Sequence, residues 1–456
     1  MKQTEDKQKR MLWRRWLWLG GRWLTLGLGL KRWLIVLGVG AALTGLGLVY
    51  VVLLLERWGW LPRQLYEYLM LMFLPVPWRI VLLLVLGLVL IAVAVWRMGL
   101  NLVAPFHQPD EQVVERLHEY HRRKRGPHVV VIGGGTGMPN LLRGLREYTG
   151  NITAVVTVAD DGGSSGRLRR ELGLLPPGDF RNNIAALSRD EALMTQVLQY
   201  RFGSRAGEEQ LPENGSGRSP VPGDLQGHAF GNLLLAALTG IMGSFDEALL
   251  AAERVLAVRG RVLPSTLEQV TLVADVAVTG PDGTAVIQRI SGESAIPKAH
   301  GHIQQLYLEP ANVRAYPPVL QAILQADLIV MGPGSLYTSI LPNLLVPDLV
   351  EALSRSRAPK LYVCNLAIQP GETDNYTVAD HVDTILDHIP TNFLDIVLAN
   401  NNLSIASDTG GGQTIFVEPV APQSVRMITA DLVDEARPWR HDSTKLAQAI
   451  MSIEHA

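Results

Sequence analysis

Two glycine-rich loops that carry reactive or ligand-binding residue types each follow an apolar run. Val129–Ile132 leads into Gly133-Gly-Gly-Thr-Gly137, and Ile152–Val158 leads into Ala159-Asp-Asp-Gly-Gly-Ser-Ser-Gly166. Glycines let backbone N–H groups approach a ligand, and a helix that starts after such a loop offers unpaired donors to a phosphate. The two carboxylates suit ligand hydroxyls or a divalent cation beside a diphosphate. The loops therefore predict a nucleotide or phosphosugar site.

Other polar segments supply further candidates. Asp179-Phe-Arg-Asn-Asn183 carries two adjacent amides, which suit uncharged sugar or base edges, and Gly227–Asn232 carries a histidine suited to acid–base work. Gly332–Ser339 offers backbone amides and hydroxyls to a second phosphate. Asp160, Asp161 and His228 are the candidates for catalysis, and the two aspartates are also the metal candidates. The predicted ligand-binding residues are Gly134, Gly135, Thr136, Gly137, Asp160, Asp161, Gly162, Gly163, Ser164, Arg181, Asn182, Asn183, His228, Asn232, Gly332, Pro333, Gly334, Ser335, Asn365 and Gln369.

The sequence leaves other interpretations of these segments open. The first loop is compatible with a purely structural glycine turn, the aspartates with solvated acids, and the asparagines and the histidine with helix starts. An NAD-type oxidoreductase is also an alternative, because Gly133 and Gly135 match the first two glycines of the Rossmann fingerprint and Asp160 or Asp161 stands near the ribose-binding position. Met138 occupies the third glycine position, which disfavours that alternative.

The spacing of the apolar runs predicts the elements that position these loops. Short runs that are apolar on both faces alternate with helical patterns, which is typical of a Rossmann-like α/β fold, a parallel sheet with helices on both faces. In such sheets ligands bind beyond the carboxyl ends of the strands. Val270–Val278 and Ala285–Ile290 flank Pro281-Asp-Gly283 and predict an inserted β-hairpin. The predicted parallel strands are Val129–Ile132, Ile152–Val158, Leu328–Met331, Lys360–Asn365 and Ile396–Ala399.

The first hundred residues predict two transmembrane helices. Trp33–Leu55 contains no charged residue, and Leu69–Trp96 is interrupted only by Arg79. The first stretch is long enough for a hydrocarbon core of about 30 Å, and the second is expected to span at about Ile80–Trp96. Lys and Arg are dense before the first stretch and after the second, which predicts that both ends are cytoplasmic.

These features divide the sequence into four segments. They are a basic, tryptophan-rich lead over residues 1–32, a two-span hairpin over 33–97, a polar connector over 98–126 and an α/β domain over 127–456. The lipid bilayer is thus an expected partner through residues 33–97, with a cell-membrane location and both termini and the 127–456 domain in the cytoplasm. A pair of buried core helices is the alternative for the two apolar stretches. A homo-oligomer is left open.

Charge and cysteine content exclude some classes of function. The net charge of −2 gives no support for nucleic-acid binding. The single cysteine, Cys364, excludes an internal disulfide and a cysteine-rich metal site. No cofactor is expected with certainty.

The region from about Val129 to Ser443 resembles the family of the bacterial gluconeogenesis factor and the 2-phospho-L-lactate transferase. The segments that carry the resemblance are Gly133–Gly137, Asp160–Gly166, Arg181-Asn-Asn183, Gly227–Asn232, Ser291-Gly-Glu-Ser-Ala-Ile-Pro297, Gly332–Ser339, Gln369-Pro-Gly-Glu-Thr373 and Asp380-His381. The resemblance implies a Rossmann-like fold with a nucleotide-type ligand over the strand ends. Ile368 stands where a threonine is expected, and the membrane hairpin is not part of the usual family pattern.

The two branches of this family imply different functions. The gluconeogenesis-factor branch implies a protein that binds a UDP-sugar, such as UDP-N-acetylglucosamine, and regulates cell envelope synthesis and cell shape. The transferase branch implies transfer of a phospholactyl group from a guanylyl carrier to a deazaflavin, with Mg²⁺. Gly332–Ser339 and Cys364-Asn365 resemble the first branch more closely. Whether the protein is an enzyme is left open at this point.

Overall fold

The structure is a computed structural model that describes residues 30–103, 126–203, 225–279, 284–389, 393–404, 408–409, 412–413 and 415–454. The chain divides into two compact units, Met1–Tyr120 and His121–Ala456. The predicted lead, most of the predicted connector and the predicted turn Pro281-Asp-Gly283 lie outside the described residues.

The described part of the first unit contains three helices. They are α1 (Leu30–Arg57), α2 (Arg63–Leu69) and α3 (Val76–Val103). Within α1, Gly38–Arg57 is exposed and is long and apolar enough to cross a membrane. The apolar part of α3 that the structure describes, Val76–Ile91, is shorter than a membrane span. The prediction of two spans is therefore not confirmed, because one described helix meets the requirement and the second does not.

The second unit, the α/β unit, contains three antiparallel arrangements and one large parallel sheet. Its described strands are β1 (Val129–Gly133), β2 (Ile152–Val156), β3 (Arg261–Pro264), β4 (Thr271–Thr279), β5 (Ala285–Ser291), β6 (His302–Glu309), β7 (Leu328–Met331), β8 (Lys360–Val363), β9 (Ile396–Asn400), β10 (Asp408–Thr409), β11 (Gly412–Gln413), β12 (Arg426–Ala430), β13 (Val433–Asp434) and β14 (Arg437–His441).

The parallel sheet has seven strands in the order β12-β9-β8-β7-β1-β2-β3. All six neighbouring pairs are parallel, and in the centre Gly133 of β1 lies opposite Val156 of β2. Strands β1, β7 and β8 are buried along their whole length, which explains why they read as continuous apolar runs. The predicted α/β fold and its central strands are confirmed, and the sheet also includes β3 and β12, which the apolar pattern did not predict.

Helices fill the connections between the parallel strands. They are α4 (Gly137–Leu145), α5 (Gly163–Leu172), α6 (Pro177–Leu187), α7 (Glu191–Gln199), α8 (Phe230–Met242), α9 (Phe245–Val255), α10 (Pro317–Leu324), α11 (Leu341–Leu344), α12 (Pro347–Arg355), α13 (Val378–His388) and α14 (Ser443–Glu454), with short turns at Pro297–Ala299 and Leu336–Ile340. The chain moves from β1 through β2 to β3 in one direction and from β7 through β8 to β9 and β12 in the other. Right-handed crossovers therefore place helices on both faces of the sheet, and the direction reverses between β1 and β7.

The predicted hairpin is confirmed as part of a larger sheet. β4 pairs with β5 in antiparallel register, and β6 pairs along the other side of β4. β5 is exposed along nearly its whole length, which explains its alternating and only moderately apolar sequence. β6 was not predicted, because exposed polar residues separate its buried apolar ones and no continuous apolar run results.

Candidate functional site

A cavity of about 520 Å³ lies at the carboxyl ends of the strands, at the point where the sheet order reverses. Three of its walls are the loops that follow β1, β7 and β8, and the fourth is strand β14. Its lining residues include eight predicted ones, namely Gly135, Thr136, Gly137, Pro333, Gly334, Ser335, Asn365 and Gln369. The structure therefore brings two glycine loops and two amide side chains together around one space.

The glycine loops that follow β1 and β7 contact each other backbone to backbone. A Cβ on Gly137 would lie 2.6 Å from the carbonyl oxygen of Pro333, and a Cβ on Gly134 would lie 2.7 Å from the Cγ2 methyl of Thr157. Gly135 has a φ of +64°, which favours glycine. The lack of side chains is thus needed for packing at these positions, and the same lack leaves the backbone open to the cavity.

The amide side chains of the third loop are held in place by hydrogen bonds. Asn365 Nδ2 donates to Gln369 Oε1 at 3.0 Å, and Gln369 Nε2 donates to Ser335 Oγ at 2.8 Å. The backbone N–H of Gln369 donates to the Thr373 hydroxyl at 3.0 Å. This chain links the loops after β7 and β8, so it fixes the width of the cavity.

Strand β14 adds three lining residues that the sequence reasoning missed. They are Trp439, Arg440 and His441, which lie far along the chain from the glycine loops. Trp439 is 46% exposed, and burial together with the nearby Arg437 lowers the pKa of Arg440. Burial lowers the pKa of His441 to about 4, so its ring is neutral at physiological pH. The sequence offered one signal for these lining residues, because Trp439 is the only tryptophan outside the first hundred residues.

A buried network joins five other predicted residues beside the cavity. Asn232 Nδ2 donates to Ser164 Oγ at 3.1 Å, and Ser164 Oγ lies 3.0 Å from His228 Nδ1. Arg181 Nη1 donates to Asn232 Oδ1 at 3.0 Å, and Arg181 Nη2 donates to Asn182 Oδ1 at 3.0 Å. These contacts tie α5, α6 and α8 together. The histidine therefore has a structural partner, and burial lowers its pKa so that the ring stays neutral.

The remaining predicted amide, Asn183, also bonds within the protein. Its Nδ2 donates to the Asp179 carbonyl at 2.9 Å, and its Oδ1 is buried without a hydrogen-bond partner among the described residues. The polar loop after β9 behaves similarly, since Asn400 Oδ1 accepts from the N–H of Leu432 at 3.2 Å and serves the turn rather than the cavity.

Five carboxylates form an acidic cluster, one member of which, Glu372, lines the cavity. The members are Asp160, Asp161, Asp179, Glu293 and Glu372, and the other four carboxylates all contribute to raising the pKa of Glu293. Burial raises the pKa of Asp179 to about 6, of Glu372 to about 7 and of Glu293 to about 9. Asp179, Glu293 and Glu372 were not predicted as site residues, because only the tertiary fold brings them together.

Backbone groups hold several members of the acidic cluster. Asp179 Oδ2 accepts from the N–H of Gly135 at 2.6 Å, Asp160 Oδ1 accepts from the N–H of Gly162 at 2.8 Å, and Asp161 Oδ1 accepts from the N–H of Ser294 at 3.0 Å. Gly163 completes this loop with a φ of +48°. Glu293 Oε2 and Glu372 Oε2 are buried without partners among the described residues.

The predicted site thus separates into two neighbouring parts. The cavity is lined by Gly135, Thr136, Gly137, Pro333, Gly334, Ser335, Asn365 and Gln369, but not by the predicted Gly134, Gly162, Gly163 and Gly332. The polar network or the acidic cluster contains Asp160, Asp161, Ser164, Arg181, Asn182, His228 and Asn232. In the part of the chain that the structure describes, no three acidic, histidine or cysteine residues are grouped as metal ligands. A second cavity of about 210 Å³ lies at the amino ends of β1 and β2, away from every predicted residue.

Comparison with known proteins identifies relatives of this site and fold. Residues 129–447 match the family model described as 2-phospho-L-lactate transferase CofD. The gluconeogenesis factor of Halalkalibacterium halodurans is 48% identical over 334 residues, covering 71% of this chain and 95% of that protein. The crystal structure of a UPF0052 family protein from Bacillus halodurans has a TM-score of 0.62 at 40% identity, covering 72% of this chain and 99% of that one.

A longer relative extends the similarity beyond the α/β unit. A protein of Nostoc sp. strain PCC 7120 is 46% identical over 443 residues, covering 94% of this chain and 91% of its own length. The α/β unit alone cannot account for that coverage, so the match includes much of the N-terminal unit.

Proposed function

The chain belongs to the family of the gluconeogenesis factors and CofD, and from this premise we propose that its cavity binds a UDP-sugar. The observation that supports the proposal is the cavity at the β1–β7 reversal, which is lined by residues of two glycine loops and by Arg440. The ligand we propose is UDP-N-acetylglucosamine, and binding would regulate cell envelope synthesis and cell shape.

The lining residues offer a complementary group for each part of such a ligand. Backbone N–H groups at the start of α4 and the guanidinium of Arg440 suit the diphosphate. The amides of Asn365 and Gln369 suit sugar hydroxyls or the edge of the base. Trp439 lines the cavity and is partly exposed, and an indole ring suits stacking on a planar base. A volume of about 520 Å³ is in the range of small-molecule sites.

Calorimetric titration of residues 127–456 with UDP-N-acetylglucosamine, GDP and NAD tests this proposal. We expect the UDP-sugar to bind more tightly than the other two ligands. Equal affinity for all three would refute it, and preference for NAD would favour the oxidoreductase alternative.

The acidic cluster favours a second candidate function, a transferase of the phospholactyl type. Oxygen ligands are those that Mg²⁺ prefers, and Glu293 and Glu372 each present a buried oxygen without a partner. Asp160 and Asp161 would hold the metal, which would stabilise the charge of a diphosphate leaving group. The test is product formation from a deazaflavin and a guanylyl-linked phospholactate with Mg²⁺. No turnover would count against this candidate.

We also propose that the N-terminal unit anchors the chain in the cell membrane, with the termini and the α/β unit in the cytoplasm. The support is the exposed apolar helix Gly38–Arg57 and the Arg79 guanidinium, which donates to the backbone carbonyl of Met72 at 2.9 Å at the start of α3. This contact gives a hydrogen-bond partner to the one charged residue within the second apolar stretch. Deleting Met1–Arg97 should impair function in cells without changing ligand affinity, and full complementation by the truncated chain would remove the case for the anchor.

A further inference from the structure

Helices α7 and α8 together present an apolar surface to solvent, which we call the α7–α8 face. On α7 the exposed residues Leu193 and Val197 are four positions apart, so they lie on one side of the helix, and the exposed Tyr200 follows directly after its end. On α8 the exposed residues are Ala237, Ile241 and Met242 near its end. Ile241 is 77% exposed, far more than an apolar side chain of a stable core.

The two stripes belong to neighbouring helices. α7 and α8 contact each other, and Arg201, just after α7, pairs with Ala229, just before α8. Both helices also pack on α6, so their exposed sides are those not used in that packing. Apolar surface exposed on neighbouring helices is typical of a binding site for a protein or a membrane.

The charge of this face favours a bilayer as its occupant. α8 contains no charged residue, and the single charged residue of α7, Glu191, is held by the guanidinium of Arg143 at 2.7 Å. Burying the exposed side chains of these two helices in a headgroup–acyl boundary therefore leaves no charged residue of either helix unpaired, and the exposed charged residues Arg189, Asp190 and Arg201 lie beyond the ends of α7. Helices α8 and α9 together are apolar enough by composition for a membrane span, but they are bent by 117° relative to each other.

The length of the chain gives the second argument. Residues 104–125 separate the end of α3 from the α/β unit, and they reach at most about 80 Å when fully extended. A membrane-anchored α/β unit is thus confined close to the bilayer, where a high effective concentration makes a weak apolar contact sufficient. Residues 204–224 are a poor alternative occupant, because Leu211 and Val221 are their only large apolar residues.

We infer that the α7–α8 face docks on the membrane surface, which orients the α/β unit relative to the bilayer. This inference rests on the membrane anchor of the proposed function. It assigns the face to lipid rather than to a second copy of the chain.

Site-specific labelling of the full chain in phosphatidylcholine–phosphatidylglycerol vesicles tests the inference. Cys364 is buried, so an environment-sensitive fluorophore can be attached selectively in an Ile241→Cys variant and in the matched control Ile287→Cys. Ile287 is likewise an exposed isoleucine, at 60%, but it lies on β5. With nitroxide-labelled lipid present, we expect quenching at position 241 to be at least about threefold stronger than at 287.

Three results would overturn the inference, and they differ in what else they affect. If the chain does not float with the vesicles, the membrane anchor is refuted together with the docking. If the chain floats but quenching is equal at positions 241 and 287, only the docking is refuted. Energy transfer between labels at position 241 that depends on protein concentration and not on lipid assigns the face to a second copy. UDP-sugar titration of the same variants reports separately on ligand binding.

Discussion

The buried carboxyl group of Glu293 leads to a specific prediction about stability and pH. Burial and the neighbouring carboxylates Asp160 and Asp179 raise its pKa to about 9, so the folded protein keeps this side chain protonated at neutral pH. In the unfolded chain the group ionises at its ordinary value of 4.5. Between these two values the folded state binds more protons than the unfolded state, and the stability contribution falls as pH rises.

Glu293→Gln replaces the protonated acid by a neutral group of the same shape. At pH 7.5 the full cost of holding Glu293 protonated corresponds to about 4 kcal/mol, at 1.36 kcal/mol for each pH unit above the ordinary value. Relaxation and water entry reduce such costs, so we expect the variant to gain about 1–2 kcal/mol at pH 7.5. The gain should shrink toward zero as the pH falls to 5 and below.

Thermal unfolding of residues 126–456 over pH 5–8 measures this effect. The UDP-sugar is left out, so that only the folding equilibrium is followed, and we expect an increase in Tm of roughly 2–4 °C at pH 7.5. Glu418→Gln is the matched control, since Glu418 is an exposed glutamate outside the cluster. A gain that is independent of pH, or a loss of stability at pH 7.5, would refute the account of the acidic cluster.

Two further predictions concern the packing around the site. Gly137→Ala places a Cβ against the Pro333 carbonyl and should lower the free energy of unfolding by about 2 kcal/mol. The control Gly240→Ala, in an open helical position, should raise it by about 0.5–1 kcal/mol. Similar effects of both changes in thermal unfolding would contradict the loop contact. Arg181→Leu leaves the Oδ1 atoms of Asn182 and Asn232 without their arginine donor and should lower the free energy of unfolding by about 2–3 kcal/mol. The control, Arg254→Leu at an exposed arginine, should change it by less than about 0.5 kcal/mol in denaturant titration. Equally small effects of the two changes would mean that the network adds little stability.

The sequence was most informative where burial is complete. β1, β7 and β8 are buried on both faces, and their uninterrupted apolar residues predicted both the strands and the parallel sheet. The two edge strands escaped prediction for the same physical reason. β3 starts with the exposed Arg261 and ends in Pro264, and β12 starts with the exposed Arg426, so neither forms an apolar run.

Only the part of the site that is formed by loops at the carboxyl ends of the parallel strands was predictable from the sequence. The loops after β1, β7 and β8 must meet at one edge of a parallel sheet, and they do line one cavity. Glu293 comes from the segment after β5, and Trp439 and Arg440 come from β14. No local spacing connects these residues with the glycine loops, because their proximity depends on how the second sheet and the C-terminal strands pack.

The most direct test of the central proposal is calorimetric titration of residues 127–456 with UDP-N-acetylglucosamine, using the native sequence and Arg440→Met. Arg440 is the only arginine or lysine among the described cavity residues, so removing its charge should weaken binding by about tenfold to a hundredfold. Arg355→Met, an exposed arginine on α12, is the control and should bind like the native protein. Micromolar binding that is lost in Arg440→Met and kept in Arg355→Met is the predicted result. No binding by the native sequence, or equal binding by both variants, would contradict the assignment of the cavity.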